Sequence, residues 1–523
     1  MMTSKLISKS PINGKTVGKF ETQDIKSLTL LFENAKEVQK NWSALSIQHR
    51  QQKLRDLREV FIQKTDEWID LISLENGKPQ VEALTCELIP TLDLLTFFSK
   101  KTKSIVKDKT IWLNNPVHWL KKSQIVHPPL GTILVISPWN FPLLLPMGDI
   151  IMGLVTGNAV IFKPSEVTPA IGMKIQETID EAGFPKNIMQ TCIGDGKLGS
   201  ALIDQKPNKI FFTGSVSTGK KILKQASNDL IPVNLELGGK DPMIIMPDAD
   251  LDFATSVALW GGFANSGQAC ASTERLIVHQ SIKNDFLSLL QKKIKTLKPG
   301  YPDQKKFDVD LGFITFDKQK EVYRSQLEKY KTKNTPLLGG EFSLEEKRLQ
   351  PTLVCGETIE SEIIYQEESF GPIIAITTFQ TPEEAIQKAN DSHYGLSSSI
   401  ITKNLTLADE MARKIEAGTV LINEVLYAAG IPEAPWGGFK NSGIGRTHSA
   451  HGLLDFVETQ HIQKPRAQAF VFKSIWWFPY SKYQFSSFRL FVELYRNSFI
   501  EKLKVLPHFL WHIVQFIKNE KRL

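Results

Sequence analysis

Between Gly131 and Gly239, short β-branched runs alternate with helical patterns, and this alternation constrains the fold more than any other feature of the chain. Thr132-Ile133-Leu134-Val135-Ile136 reads as a strand, an apolar helix follows at about 143–156, and Ala159-Val160-Ile161-Phe162 reads as a second strand. Thr168 followed by Pro169 predicts an N-cap with Pro at the first helical position, and Gly183 a stop after a helix ending near Ala182. Lys209-Ile210-Phe211-Phe212 is a further strand, Gly214-Ser215 opens another helix, and Val233-Asn234-Leu235-Glu236 closes the series. Strands separated by helices pair in parallel, because the crossover returns each strand in the same direction. The expectation is an α/β fold with a Rossmann-type, doubly wound sheet whose ligands sit at the carboxyl ends of the strands.

The stretch from Leu143 to Phe162 is apolar enough to raise a membrane span, but Asp149, Gly153, Gly157 and Asn158 interrupt it, and a buried helix plus strand is the better reading. At 523 residues the chain predicts two or three domains. A second α/β region is expected over about 240–439, with strands at Arg275–Val278 and Pro372–Ile376, and the first hundred residues read mostly as helix. The four cysteines, Cys86, Cys192, Cys270 and Cys355, form no CxxC pair. They predict neither a disulfide framework nor a metal site, and fit a reducing, cytoplasmic compartment. The N-terminus has no apolar h-region, so no secretory signal is expected.

The net charge of +7 invites a nucleic-acid reading, but its distribution argues against one. Residues 465–523 hold ten Lys/Arg against three Asp/Glu, which accounts for all +7 and leaves the body neutral. This extension also holds 15 of the chain's 49 Phe, Trp and Tyr residues. After Trp476-Trp477-Phe478-Pro479-Tyr480, the residues Phe488, Phe491, Val492, Tyr495, Phe499, Leu503 and Leu506 fall on one expected helical face, with Glu493, Asn497, Glu501 and Lys504 opposite. Pro507 is expected to break or kink the helix, and the following run 509–517 is too short to span a bilayer. Two readings stay open for this face: docking on the protein's own body or a sister subunit, or lying on an anionic membrane surface as a peripheral anchor.

Three blocks carry chemistry: Pro138-Trp139-Asn140-Phe141-Pro142, Glu236-Leu237-Gly238-Gly239-Lys240, and Asn265-Ser266-Gly267-Gln268-Ala269-Cys270. Together they supply a carboxamide to hold an oxyanion, a carboxylate to activate water and a thiol to attack a carbonyl. Taken singly, each has a bland alternative: a capping Asn, a surface carboxylate, a small buried Cys. In this order they resemble the aldehyde dehydrogenase superfamily, from roughly Ala35 to Pro465. The resemblance implies Cys270 as nucleophile, Asn140 as oxyanion donor and Glu236 as general base, the non-acylating type that releases a free acid.

The resemblance also implies an NAD-binding domain over 1–107 and 130–238, a catalytic domain over 239–439, a small β oligomerisation element over 108–129 and 440–464, and a homodimer or homotetramer. Cofactor contacts would come from Trp139, Lys163, Ser165, Glu166, Gly214, Ser215, Leu237, Gly238, Glu368 and Phe370. Lys163-Pro164-Ser165-Glu166 ends a predicted strand, where a dinucleotide ribose belongs, and the Glu166 carboxylate would accept from a 2′-OH and repel a 2′-phosphate, favouring NAD over NADP. Lys240 carries no firm role. In Pro435–Arg446, the family's C-terminal block, many relatives place Glu after the Arg as a second proton relay; here Thr447 stands there, followed by His448 and His451, either of which is a substitute or a structural residue.

Leu143, Leu144, Trp260, Phe263, Val425, Leu426 and Tyr427 flank the blocks and lean toward an apolar or fatty aldehyde, although the same residues fit a core. No Arg in the motifs marks a dicarboxylic substrate of the succinate-semialdehyde type. A coenzyme A-acylating enzyme and a catalytically idle scaffold are the rival readings.

Overall fold

The computed structural model describes residues 5–115, 118–300, 307–332, 334–343, 348–468 and 476–520. Contacts divide the chain into two units: residues 1–107 with 127–460, and residues 108–126 with 461–523.

The first unit is built on two six-stranded sheets. In the first, the order is Gly443–Ile444, Val233–Glu236, Lys209–Thr213, Thr132–Ile136, Ala159–Lys163 and Met189–Thr191, parallel except for the two-residue edge strand. The chain runs outward from Thr132–Ile136 through two strands, then returns to its other side at Lys209–Thr213. The switch point therefore lies between these two strands, and a crevice opens at their carboxyl ends. The helix Leu144–Thr156 is buried along nearly its whole length, followed by the buried strand Ala159–Lys163, as the interrupted apolar run predicts. No described helix is long and apolar enough to cross a membrane.

The helix Pro169–Glu181 starts with Pro169 as expected, but the predicted Thr168 cap does not form. The Thr168 hydroxyl is buried without a partner among the described residues. Glu75, from the helix Thr65–Asn76, takes its place by accepting from the Ala170 and Ile171 N–H groups at 2.9 and 2.8 Å. A carboxylate there satisfies two orphan donors and meets the positive end of the helix.

The second sheet is wholly parallel, in the order Thr352–Cys355, Ile373–Phe379, Thr273–His279, Asp241–Ile245, Ser397–Ile401 and Thr419–Ile422. Its strands are mostly buried, which explains why they read as continuous apolar runs. The chain leaves the first sheet at Glu236 and enters the second at Asp241, so Leu237-Gly238-Gly239-Lys240 links the two layers.

The second unit holds a three-stranded sheet, ordered Gln460–Pro465, Lys121–Val126, Lys109–Ile111. The boundary expected at 440 differs from this arrangement. Gly443–Ile444 pairs with Glu236 and Leu235 as the edge of the first sheet, and only the strand from Gln460 onward joins the small sheet. The C-terminal residues form two helices, Lys482–Glu493 and Phe499–Glu520, rather than one. Residues 494–498 interrupt the expected face, with Arg496 turned back onto Glu493. Pro507 does not break the second helix: one bond to the Leu503 carbonyl is lost, on an exposed turn where water can replace it. Residues 469–475 and 521–523 of the expected extension lie outside the described residues.

Candidate active site

The loop after Thr132–Ile136 carries Asn140, and a buried ion pair holds it. Lys78 and Glu87 meet at 2.7 Å with both side chains fully buried. The second Glu87 oxygen accepts from the Leu143 and Leu144 N–H groups at 2.8 and 3.0 Å, capping the helix that follows the loop. The Lys78 ammonium also donates to the Asn140 carbonyl at 2.9 Å, and Asn76 donates to the Trp139 carbonyl at 2.8 Å. With its backbone clamped, Asn140 directs its own amide to the Gln268 carbonyl at 3.1 Å, leaving one amide hydrogen for another acceptor.

The turn leading to Cys270 is conformationally costly. Asn265, Ser266 and Gly267 stand at φ of 49°, 54° and 72°, three successive left-handed residues. A side chain at Gly267 would put its Cβ 2.3 Å from the Gly371 carbonyl, so only glycine fits. Gln268 stabilises the turn, donating to the Asn265 and Phe313 carbonyls at 3.0 Å and accepting from Thr315 N–H at 2.9 Å. The Cys270 side chain is partly buried and packs against Ala271, Leu396, Ala428 and Trp436. Burial pushes its thiol pKa up, and the Asp241, Glu368 and Glu236 carboxylates add to the shift, so the resting thiol is protonated at neutral pH.

Glu236 ends its strand in register with Thr213 on one side and Gly443 on the other. One of its carboxylate oxygens is buried without a hydrogen-bond partner among the described residues. Burial holds this carboxyl well above the usual range; Asp149 raises it further and Arg446 opposes the rise. The position after Arg446 does not return a carboxylate to Glu236. Thr447 donates to Asp149 at 3.2 Å, and Asp149 is itself buried and pushed up to about 7. His448 is buried beside Gly148, with Nδ1 unpartnered among the described residues, and burial lowers its pKa to about 4. His451 lies exposed on the helix Ser449–Leu454.

All thirteen residues expected from the sequence to be catalytic or to contact the cofactor line one cavity of about 780 Å³ at the switch point of the first sheet. Asn140, Glu236 and Cys270 are among them. Lys163 and Glu166 stand 3.7 Å apart, Lys163 buried with a lowered pKa and Glu166 exposed, with Ser165 between them in sequence. Ser215 caps the helix Val216–Ala226 by accepting from the Thr218 N–H at 3.3 Å, and Gly214 precedes it. Glu368 accepts from the Gly239 N–H at 3.0 Å, and a Cβ on Gly238 would fall 2.3 Å from its carboxylate, which explains the double glycine. Burial lifts Glu368 to about 8. Phe370 meets Trp139 edge to face at 5.4 Å, and Leu237 is buried.

Other residues of this region went unread in the sequence. Phe316, Gln319, Gly196 and Gly199 also line the cavity. Lys78 and Glu87 belong to none of the motifs, and their one signal is Asn76-Gly77-Lys78-Pro79, a turn that puts a Lys beside a helix end. Lys240 proves to be buried in a pair with Glu274, which in turn accepts from the Ser369 and Phe370 N–H groups at 2.8 Å. Of the apolar residues expected to face substrate, none lines this cavity. Leu143, Leu144, Phe263 and Val425 are core, Trp260 and Tyr427 are exposed, and Leu426 packs in the small cluster beside Cys270. Leu145 lines the cavity instead.

Known proteins resemble this chain over most of its length. The profile of the aldehyde dehydrogenase family matches residues 2–462. A 4,4'-diapolycopene aldehyde oxidase from Methylomonas sp. is 33% identical over 92% of this chain and 90% of its own. A betaine aldehyde dehydrogenase variant from Staphylococcus aureus, solved with NAD+, is 30% identical with a TM-score of 0.83, covering 90% of this chain and 96% of the other. An NADP-dependent enzyme from E. coli is 26% identical with a TM-score of 0.84, covering 88% and 95%.

Proposed function

The chain belongs to the aldehyde dehydrogenase family, and from that premise we propose that it oxidises an apolar aldehyde to the free carboxylic acid with NAD. The Cys270 thiol gives up its proton to water, and its sulfur adds to the aldehyde carbon to give a thiohemiacetal. The free amide hydrogen of Asn140 and the Cys270 backbone N–H hold the oxyanion, donors of this kind contributing about 3 kcal/mol each. Bound NAD supplies the acceptor for the hydride lost from that carbon. Glu236 then takes a proton from water, which attacks the thioester, releases the acid and restores the thiol. The observation that carries the hydrolytic reading is the unpartnered Glu236 oxygen, lining the same cavity as Cys270.

The donor set suits NAD: a carboxylate and an ammonium at a strand end for one ribose, a helix N-terminus for the pyrophosphate and Glu368 for the second ribose. The exposed Glu166 carboxylate disfavours a 2′-phosphate, which supports NAD over NADP. The apolar cluster against which Cys270 packs supports an apolar aldehyde, as does the relative named for diapolycopene aldehyde. We further propose a homodimer or homotetramer, since Gln460–Pro465 is an exposed edge strand able to pair with another chain.

A panel from charged short aldehydes to long apolar ones, followed by NADH absorbance, tests the reading. Apolar aldehydes should give the higher kcat/KM; a preference for a dicarboxylic semialdehyde, or a requirement for coenzyme A, would refute it. Cys270→Ala should lose turnover while still binding NAD, and activity above background in that variant would exclude the thiol mechanism. Glu166→Gln should narrow the preference for NAD over NADP; a wild type that prefers NADP would count against the assignment.

A further inference from the structure

The C-terminal residues lie beyond the family match and form a pair of helices, Lys482–Glu493 and Phe499–Glu520. They pack on each other through Phe491 and Phe509, whose rings are 5.4 Å apart, while Trp476 stacks on Phe488 at 4.7 Å. This packing uses one side of the second helix. On the other, Phe499, Leu503, Leu506, Leu510 and Val514 are between 40% and 72% exposed. Their spacing lays them along a single stripe. Trp477, Phe478 and Tyr480, ahead of the first helix, are exposed as well. A continuous exposed apolar stripe marks a surface that something covers, and these exposed aromatic groups add to the apolar surface of the same unit.

Charge identifies the cover. Residues 465–523 hold the whole +7 of the chain. Glu493, already counted in that sum, is bracketed by Arg489 at 2.8 Å and by Arg496, so this trio keeps one net positive charge. Lys504 and Lys518 are both exposed on this helix, and Lys518 stands beside the stripe, where its stem can lie along an apolar phase and its ammonium group reach outward. An anionic bilayer offers both complements, acyl chains for the stripe and headgroup phosphates for the cations. Trp and Tyr settle at that boundary because one end of each ring is polar. Since no described helix can cross a membrane, the helix would lie in its plane.

We propose that the helix Phe499–Glu520, together with Trp477, Phe478 and Tyr480, lies flat in the surface of an anionic lipid bilayer. Each Lys or Arg near such a surface strengthens binding by about fivefold, and salt weakens it. This surface is independent of which aldehyde the active site takes.

The test uses the full-length protein, sedimented with vesicles of phosphatidylcholine alone or mixed with phosphatidylglycerol. Partitioning onto the mixed vesicles should exceed that onto the neutral ones by about tenfold or more and fall with salt. Leu503→Glu with Leu510→Glu should remove about nine-tenths of it while leaving oxidation of a water-soluble aldehyde unchanged, because both side chains already face outward. Lys504→Glu with Lys518→Glu should weaken it without touching the stripe. Failure of the wild type to sediment with the mixed vesicles would overturn the proposal, as would sedimentation insensitive to the Leu pair. If the Leu pair instead converts an oligomer to a monomer by light scattering, with no vesicle binding by the wild type, the stripe is a subunit interface and the proposal fails.

Discussion

Asp149 shows how a single buried residue can set the chemistry of another. It lies on the helix that follows the Asn140 loop, accepts from Thr447, and after burial is the largest contributor to the raised pKa of Glu236. Replacing its charge should make Glu236 easier to deprotonate. Asp149→Asn keeps an oxygen for Thr447 and should shift the acid limb of the kcat–pH profile to lower pH; a limb that stays in place or moves up would remove Asp149 from this role. Glu236→Gln should still transfer hydride, showing a burst of about one NADH per active site, and then stall as the thioester. Loss of the burst itself would place Glu236 before hydride transfer. Lys163, Glu166, Asn140, Glu236 and Cys270 are legible because each sits in a short motif; in the sequence Asp149 only interrupts an apolar run, since its partners come from distant segments.

The element that matters most for the site is the loop between Thr132–Ile136 and the helix Leu144–Thr156, and the Lys78–Glu87 pair governs it. Removing one member of a buried pair leaves an uncompensated charge and costs about 3–5 kcal/mol. Lys78→Met should destabilise the protein by that order in denaturant unfolding. It should also lower kcat/KM by about tenfold to a hundredfold through loss of the Asn140 clamp, because small misplacements near reacting atoms are expensive. An unchanged midpoint and unchanged kinetics would show that the pair holds nothing. Glu75 plays the analogous part for the helix Pro169–Glu181, replacing a Thr168 cap that local sequence rules favour. A hydroxyl at the N-cap is a local signal, but a buried carboxylate aimed at the same N–H groups from another helix satisfies two donors at once.

Across the whole molecule, several buried carboxyls titrate far above their ordinary range. Burial lifts Glu75, Glu82 and Asp149 to about 7, and Asp241 and Glu368 to about 8. Their folded pKa values exceed the unfolded ones, so the native state holds protons that the unfolded chain releases, and stability falls as pH rises through the interval between the two. His448, whose folded pKa is lowered to about 4, acts in the opposite sense below its ordinary value near 6.5. The five carboxyls outweigh the single His448, so the melting temperature should decline from about pH 5 to about pH 8. A rise over that range would contradict the burial of these groups.

The sequence by itself determined the parallel first sheet and the motif residues that gather at the carboxyl ends of its strands. Those follow from backbone periodicity and from short segments whose residue types leave few conformations, as Asn265-Ser266-Gly267 does before Cys270. The tertiary structure decided which buried charges meet: Lys78 with Glu87 and the Asn140 carbonyl, Glu75 with a helix it does not belong to, and Thr447 with Asp149 across 298 positions. It also decided that the tail forms two helices and that most of the apolar residues flanking the motifs are core rather than lining. Periodicity is a property of neighbouring residues, whereas pairing in a low-dielectric interior depends on every element packed around the pair. A one-dimensional pattern therefore carries the first and cannot carry the second.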